Sequence, residues 1–214
     1  MVKKSIISGA VSSLELSHFW RCLLCLPSAL LLMTESVPHG LLAGSAPLDN
    51  SGRIPCDPNG RIASSWRSTP GHGSAVELQP GAMATVPAVC PAERYVPTGV
   101  LLTPGATYQI EAQGLWQDGW IRVGPNGWPG LLLEAWNRLR WQPFFLLSGA
   151  IGPSEEHLFA IGRSRRWSAP TTFAPEADRQ LYLFANDWPG MLENNRSVAE
   201  QNGGPLRVSI TRLP

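Results

Sequence analysis

Apolar and polar residues alternate along much of the chain. In TYQIEAQG, Thr107 to Gly114, the residues Tyr108, Ile110 and Ala112 share one side, and Gln109, Glu111 and Gln113 share the other. In PLRVSITRL, Pro205 to Leu213, the set Leu206, Val208 and Ile210 opposes Arg207, Ser209 and Thr211. A period of two with one apolar side predicts half-buried β-strands. TGVLLT (Thr98 to Thr103), GWIRVG (Gly119 to Gly124), FFLLSGAIG (Phe144 to Gly152), HLFAIG (His157 to Gly162) and RQLYLFA (Arg179 to Ala185) read as further strands. Turn signals such as Pro104-Gly105 and Pro125-Asn126-Gly127 separate them. Many short strands at this spacing predict an all-β fold, a jelly-roll-like antiparallel β-sandwich over residues 82–214. LLLEAWNRLRW, Leu131 to Trp141, interrupts the strands as a helical candidate or a surface loop. In a sandwich the strands are scaffold and the end loops carry function.

The pattern fails upstream. Residues 46–81 are rich in Gly, Ser, Pro and Asn and keep neither period, so they read as a linker or loosely ordered arm. Residues 1–45 hold Lys3 and Lys4 before an apolar stretch, Leu23 to Met33, that is too short to span a bilayer. That outline fits an export signal, and hence a secreted or periplasmic protein. Glu15, His18 and Arg21 interrupt it, which leaves open a start codon upstream of the real signal or an amphipathic helix. No other segment approaches the length of a membrane helix.

Composition adds limits. A net charge of +1 with only 15% charged residues gives no footprint for nucleic acid. The short basic run Arg163, Arg165, Arg166 reads as a solvated loop. Four Cys are present. Cys22 and Cys25 lie in the apolar N-terminal stretch, whereas Cys56 and Cys90 either pair in an exported protein or stay as two unrelated thiols. Nine Trp are many for such a chain, and most suit a sandwich core. Trp116, Trp120 and Trp128 fall under that reading, with at least one left for stacking on a ligand.

One loop holds the candidate chemistry. NDWPGMLENN, Asn186 to Asn195, follows the strand LYLFA. Asn, Asp, Gly and Pro are ordinary turn residues, and an ordinary turn is one reading. The other is a cage for a hard cation. Calcium takes about six to eight oxygens from carboxylates, amides, backbone carbonyls and water. Asp187 offers a carboxylate, Asn194 and Asn195 offer amide oxygens, and Met191 offers a backbone carbonyl. Pro189-Gly190 reverses the chain so that the later residues return to face Asp187. So few protein anions leave positions for two neighbouring sugar hydroxyls. Trp188, inside the loop, is the aromatic best placed for ligand contact.

This loop, ND-x-PG-x-x-x-NN followed by GGPLRVSITRL, resembles the metal loop and last strand of the bacterial galactose-binding lectins of the LecA, or PA-I, type. TGVLLTPGATYQIEAQG, GLWQDGWIRVGPNG and FFLLSGAIG resemble that family's earlier strands in order, so the similarity runs from about Ala82 to Leu213. The resemblance implies a small calcium-dependent jelly-roll sandwich that binds carbohydrate and is not an enzyme. By position it implies Ca2+ held by Asp187, Asn194, Asn195 and the Met191 carbonyl. Asp118 stands where the family supplies a carbonyl from tyrosine. The family's His and Gln for the sugar's outer hydroxyls have no counterpart. LLLEAWNRLRWQP takes their place, with Glu134, Asn137, Arg138, Arg140 and Gln142 as polar candidates and Trp136 and Trp141 as stacking candidates. The expected partner is a hexose, galactose-like by resemblance. One shallow site per chain suggests a homo-oligomer.

Two other readings stand beside it. The domain is a structural or adhesive module in which calcium only stiffens a loop, or it is a glycan-acting enzyme using Glu155 or Glu156. The enzyme needs two carboxylates roughly 5 to 9.5 Å apart across a cleft, which adjacent glutamates rarely supply. Asn195-Arg196-Ser197 also matches a glycosylation sequon.

Overall fold

The computed structural model describes residues 56–63, 75–173 and 178–214. The expected export segment, Cys22, Cys25 and most of the expected linker lie outside the described residues. The described chain is all-β, broken by short 3₁₀ turns. Its strands are β1 (Val76–Glu77), β2 (Met83–Val86), β3 (Val96–Leu101), β4 (Thr107–Gln113), β5 (Trp116–Asp118), β6 (Ile121–Val123) and β7 (Asn126–Trp128). They continue with β8 (Phe144–Ile151), β9 (Leu158–Ala160), β10 (Ser164–Ser168), β11 (Gln180–Asn186), β12 (Asn195–Ser197) and β13 (Arg207–Arg212).

Two sheets form a sandwich. One runs β1-β3-β11-β8-β7, with β9 also on β8, and the other runs β10-β4-β13-β2. The pairings are antiparallel except β1 on β3. A third small sheet, β12-β5-β6, sits at the end that carries the candidate loop. The alternation seen in sequence explains the core. Tyr108, Ile110 and Ile210 are wholly buried from one sheet, with Leu206 just before β13, and Leu147, Leu181 and Leu183 from the other. Their apolar side chains leave water together, which is the main force closing the two layers.

β8 is buried along its whole length, because both of its faces are covered. Gly149 is required there, since a Cβ would lie 2.4 Å from the Phe159 ring. β11 divides its side chains. Leu181, Leu183 and Ala185 enter the core, whereas Tyr182, Phe184 and Asn186 alternate to the outer face. That outer face carries the loop of residues 131–143.

Three local readings change. The Arg163–Arg166 run is not a loop: Ser164 to Ser168 form edge strand β10, paired with β4 from Ser164↔Glu111 to Ser168↔Thr107. A solvated edge tolerates arginines, so charge alone did not exclude a strand. Leu131–Trp136 is a 3₁₀ turn and Asn137 is extended, so of the two readings of this stretch the surface loop holds and the helix does not. Leu131 (φ 54) and Trp141 (φ 62) bracket this loop in left-handed backbone, a costly conformation for bulky residues. Within the stretch read as linker, β1 pairs Val76 with Val100, and Leu78 is buried.

Cys56 and Cys90 are joined by a disulfide across 34 residues. The bond holds residues 56–63 on the sandwich, where Cys56 bridges Ile62 and Ala92 donates its N–H to the Gly60 carbonyl. Gly60 (φ 72) is needed at this contact, because a Cβ would stand 3.0 Å from the Asn195 carbonyl oxygen. Closing a loop of this size is expected to contribute about 3 to 4 kcal/mol. Chemical denaturation of oxidised protein and of the Cys56→Ser/Cys90→Ser double variant should differ by about that amount, and coincident midpoints would contradict it.

Candidate functional site

The candidate site is assembled from two chain reversals and one strand pairing. β11 ends at Asn186 and delivers Asp187 into the loop. Met191 N–H donates to the Trp188 carbonyl at 2.9 Å, which closes the turn over Pro189-Gly190. A 3₁₀ turn, Leu192–Asn194, then leads into β12. β12 pairs with β5 so that Asn195 stands opposite Asp118. Residues far apart in sequence therefore converge.

The contacts are specific. Asp187 Oδ1 accepts the Trp188 N–H at 2.7 Å, and Asp187 Oδ2 accepts Asn195 Nδ2–H at 3.0 Å. Asn195 Nδ2 also donates to the Pro91 carbonyl at 3.0 Å, next to the disulfide. Asp118 Oδ1 accepts Asn194 Nδ2–H at 2.9 Å, and Asp118 Oδ2 accepts the indole N–H of Trp128 at 3.1 Å. Asp187 is 3% exposed and Asn195 is wholly buried. The side-chain oxygens of both Asn194 and Asn195 are buried and accept no hydrogen bond.

That last fact tests whether the residues fit a cation. A buried acceptor without a donor costs on the order of 1–3 kcal/mol, and here two adjacent ones lie against two carboxylates. Each carboxylate oxygen accepts one hydrogen bond and keeps acceptor capacity. Two anionic and two neutral oxygen donors make a hard-cation set. Among the described residues no group of three or more His, Cys, Asp or Glu gathers. The set rests on amides as much as on acids.

The electrostatics point the same way. Burial pushes the Asp187 carboxyl up to about 6, and the neighbouring Asp118 charge adds to it, against the lowering by Asn195 and Trp188. Burial likewise raises Asp118, against the hydrogen bonds of Trp128 and Asn194. A buried carboxylate and a half-buried one thus stand near each other with no basic partner on either in these contacts.

The other sequence candidates fall as follows. The Met191 carbonyl accepts the Asn194 N–H at 3.3 Å, within the 3₁₀ turn. Trp188 is half-buried, and its ring lies 5.9 Å from that of Trp136, tilted by 39°. Trp136 and Trp141 are exposed. Gln142 joins through its carbonyl, which takes the side-chain amides of Asn137 at 2.9 Å and Asn186 at 3.3 Å. Glu134 accepts the Gly130 N–H at 3.0 Å. Arg138, a candidate for ligand contact, turns inward instead, where the outer face of β11 offers aromatic rings. Glu155 is taken up by Arg94, Arg138 and Tyr95. Trp116 is wholly buried, Trp128 stacks on Phe144 at 5.1 Å, and Trp120 is exposed.

Sequence reasoning missed Asn186, Pro91 and the Trp128–Asp118 bond. Asn186 Oδ1 accepts the Leu139 N–H at 2.7 Å, and its Nδ2 donates to the carbonyls of Leu139 and Pro143 at 3.2 and 3.0 Å. The alternation of LYLFAN did place Asn186 on the side of Tyr182 and Phe184. Trp128 was weighed for core packing or ligand stacking, not for a bond to Asp118, and nothing in the sequence linked Pro91 to the loop.

No family model matches the chain, and no curated protein matches it. Among solved structures it is similar to one described as an EclA N-terminal domain, a PllA-like lectin. The match has a TM-score of 0.39 and 24% sequence identity, and covers 61% of this chain and 94% of that one.

The raised Asp187 value carries a sign. The folded, metal-free protein holds a proton on Asp187 above its ordinary value of 3.8, so this group disfavours the fold increasingly as pH rises from there to about 6. With a chelator present, wild-type protein should lose about 2 to 3 kcal/mol relative to Asp187→Ala across that window. Parallel pH profiles of unfolding free energy for the two proteins would refute the assignment.

Proposed function

We propose that this domain binds a divalent cation, calcium by the chemistry of its donors, and through it a hexose. The observation that carries the reading is the pair of buried, donorless amide oxygens of Asn194 and Asn195 beside the carboxylates of Asp187 and Asp118. Asp187, Asp118, Asn194 and Asn195 would hold the ion, with the Met191 carbonyl as a further donor. When bound, calcium supplies a hard positive centre that neutral oxygens of two adjacent sugar hydroxyls satisfy.

The chain's own groups do the rest. Asp187 and Asp118 would balance the ion's charge, and the burial of Asp187 would limit water's competition there. Pro91 and Trp128 hold the Asn195 amide and the Asp118 carboxylate in place. Trp136 and Trp188 present indole surface beside Asp187, suited to the CH-rich face of a sugar ring. The galactose-like preference rests on the loop resemblance alone. Trp136 and Gln142 stand in the segment where that family reads the outer hydroxyls, so the preference of this site is its own. The disulfide suits an exported protein. A single shallow site of this kind gains useful avidity by repetition on a homo-oligomer.

Calorimetric titration of galactose, mannose and fucose tests this, first with Ca2+ and then with a chelator. At least one hexose should bind only with Ca2+, and Asp187→Ala and Asn194→Ala should abolish that binding. Calcium should raise the melting temperature well above pH 6, and the rise should shrink below 6, where a proton competes for Asp187. A melting shift with no heat from any sugar would favour the structural module instead. Absence of both responses would end the reading.

A further inference from the structure

Arg138 lies in the loop that faces Asp187, yet its guanidinium is spent elsewhere. The side chain is 1% exposed. Its guanidinium carbon lies 3.8 Å from the centre of the Phe184 ring and 4.5 Å from that of Tyr95. Those rings belong to an edge-to-face cluster: Tyr95 is 6.4 Å from Phe184 and 6.1 Å from Tyr182. Arg138 Nε donates to Glu155 Oε1 at 3.1 Å, and Nη1 donates to the Arg94 carbonyl at 2.6 Å. Glu155 also accepts from Arg94 Nη2 at 3.0 Å and from the Tyr95 hydroxyl at 2.8 Å. Burial pushes the Glu155 carboxyl up, but the hydrogen bonds and charge of Arg138, with those of Tyr95 and Arg94, hold it below its usual value.

The backbone of the same residue meets the site. Arg138 N–H points at the Asp187 carbonyl at 3.4 Å, and the next amide, Leu139, donates to Asn186 Oδ1 at 2.7 Å. The planar guanidinium suits this place, since its flat face stacks on rings while its edge bonds a carboxylate in a fixed fork, whereas a lysine ammonium is a point charge without that flat face.

We propose that Arg138, locked by Glu155, Tyr95 and Phe184, is a positioning residue for the cation site. It fixes the 137–143 loop against Asn186 and so sets where Asp187 stands when a ligand arrives. This deepens the reading under Proposed function and rests on it for the ligand, while the anchoring itself is measurable without any ligand. Glu155 thereby acquires a task, holding the anchor rather than cleaving a glycan.

The test uses Arg138→Met, Arg138→Lys and Glu155→Gln in the full chain. Amide hydrogen exchange is followed in chelator, and Ca2+ affinity is then measured by calorimetry. Arg138→Met should speed exchange at Leu139 and Trp188 while β4 and β13 keep their protection, and should weaken Ca2+ by about 10- to 100-fold, the usual effect of losing a supporting partner. Glu155→Gln should move both readouts the same way by less, and Arg138→Lys should fall between Met and wild type. If Arg138→Met fails to fold, Glu155→Gln decides. Unchanged exchange at Leu139 and Trp188, or an equal rise across β4 and β13, overturns the proposal. Wild-type protein that takes no Ca2+ would refute the cation reading. The exchange pattern would still uphold or overturn the anchoring by itself.

Discussion

Two carboxylates, buried Asp187 and half-buried Asp118, are drawn close enough for each to feel the other's charge, and no arginine or lysine meets them in the contacts described. Burying like charges is expensive in a medium less polar than water, and a protein usually answers with a cation or with protonation. Here the available answer is partial. Amide N–H groups from Asn194, Asn195 and the Trp188 backbone face the carboxylate oxygens, and the matching amide oxygens are stranded. An arrangement that strands acceptors beside acids is costly for an ordinary turn. The remainder of the end region is organised around holding it.

That holding comes from three directions. From behind, the Cys56–Cys90 bond secures the segment whose Gly60 and Pro91 pack and hydrogen-bond against Asn195. From the third sheet, the β5–β12 pairing sets Asp118 opposite Asn195, and Trp128 reaches back to Asp118. From the outer face of β11, Asn186 and the Arg138 cluster keep the 131–143 loop beside Asp187. Beside Asp187 the exposed ring of Trp136 and the half-buried ring of Trp188 lie 5.9 Å apart. The left-handed backbone at Leu131 and Trp141 marks the same loop as one whose shape is held against local preference.

Much of the sandwich was legible because a strand's side-chain period is two and its buried face must be apolar. TYQIEAQG and PLRVSITRL carry that signature, and the structure buries Tyr108, Ile110, Leu206 and Ile210. β10 was illegible for a related reason: on a solvated edge, Ser164 to Ser168 need no apolar face, so arginines hid the strand. Leu131 to Trp141 could be read as a helix or a surface loop, because its apolar residues mimic a helical face, and the structure takes the loop with a 3₁₀ turn at Leu131–Trp136. The loop's oxygen-bearing residues were legible as a set, since Asp187, Asn194 and Asn195 lie on one short reversal. Arg138, one of five polar candidates for ligand contact, turns inward, because sequence gives a side chain's chemistry but not its direction.

What the sequence determined by itself was local. It set which segments could be strands, because alternation is a property of consecutive residues. It set which side chains could act as hard donors, because that depends only on their identity. Tertiary structure alone decided the environment of those donors. The pairing of Asp118 with Asn195, the joining of Cys56 to Cys90 and the burial of Arg138 between Tyr95 and Phe184 all link residues distant in the chain. Burial, stranded acceptors and raised carboxyl affinity for protons arise from what surrounds a group in space. No reading of neighbours along a chain contains that information.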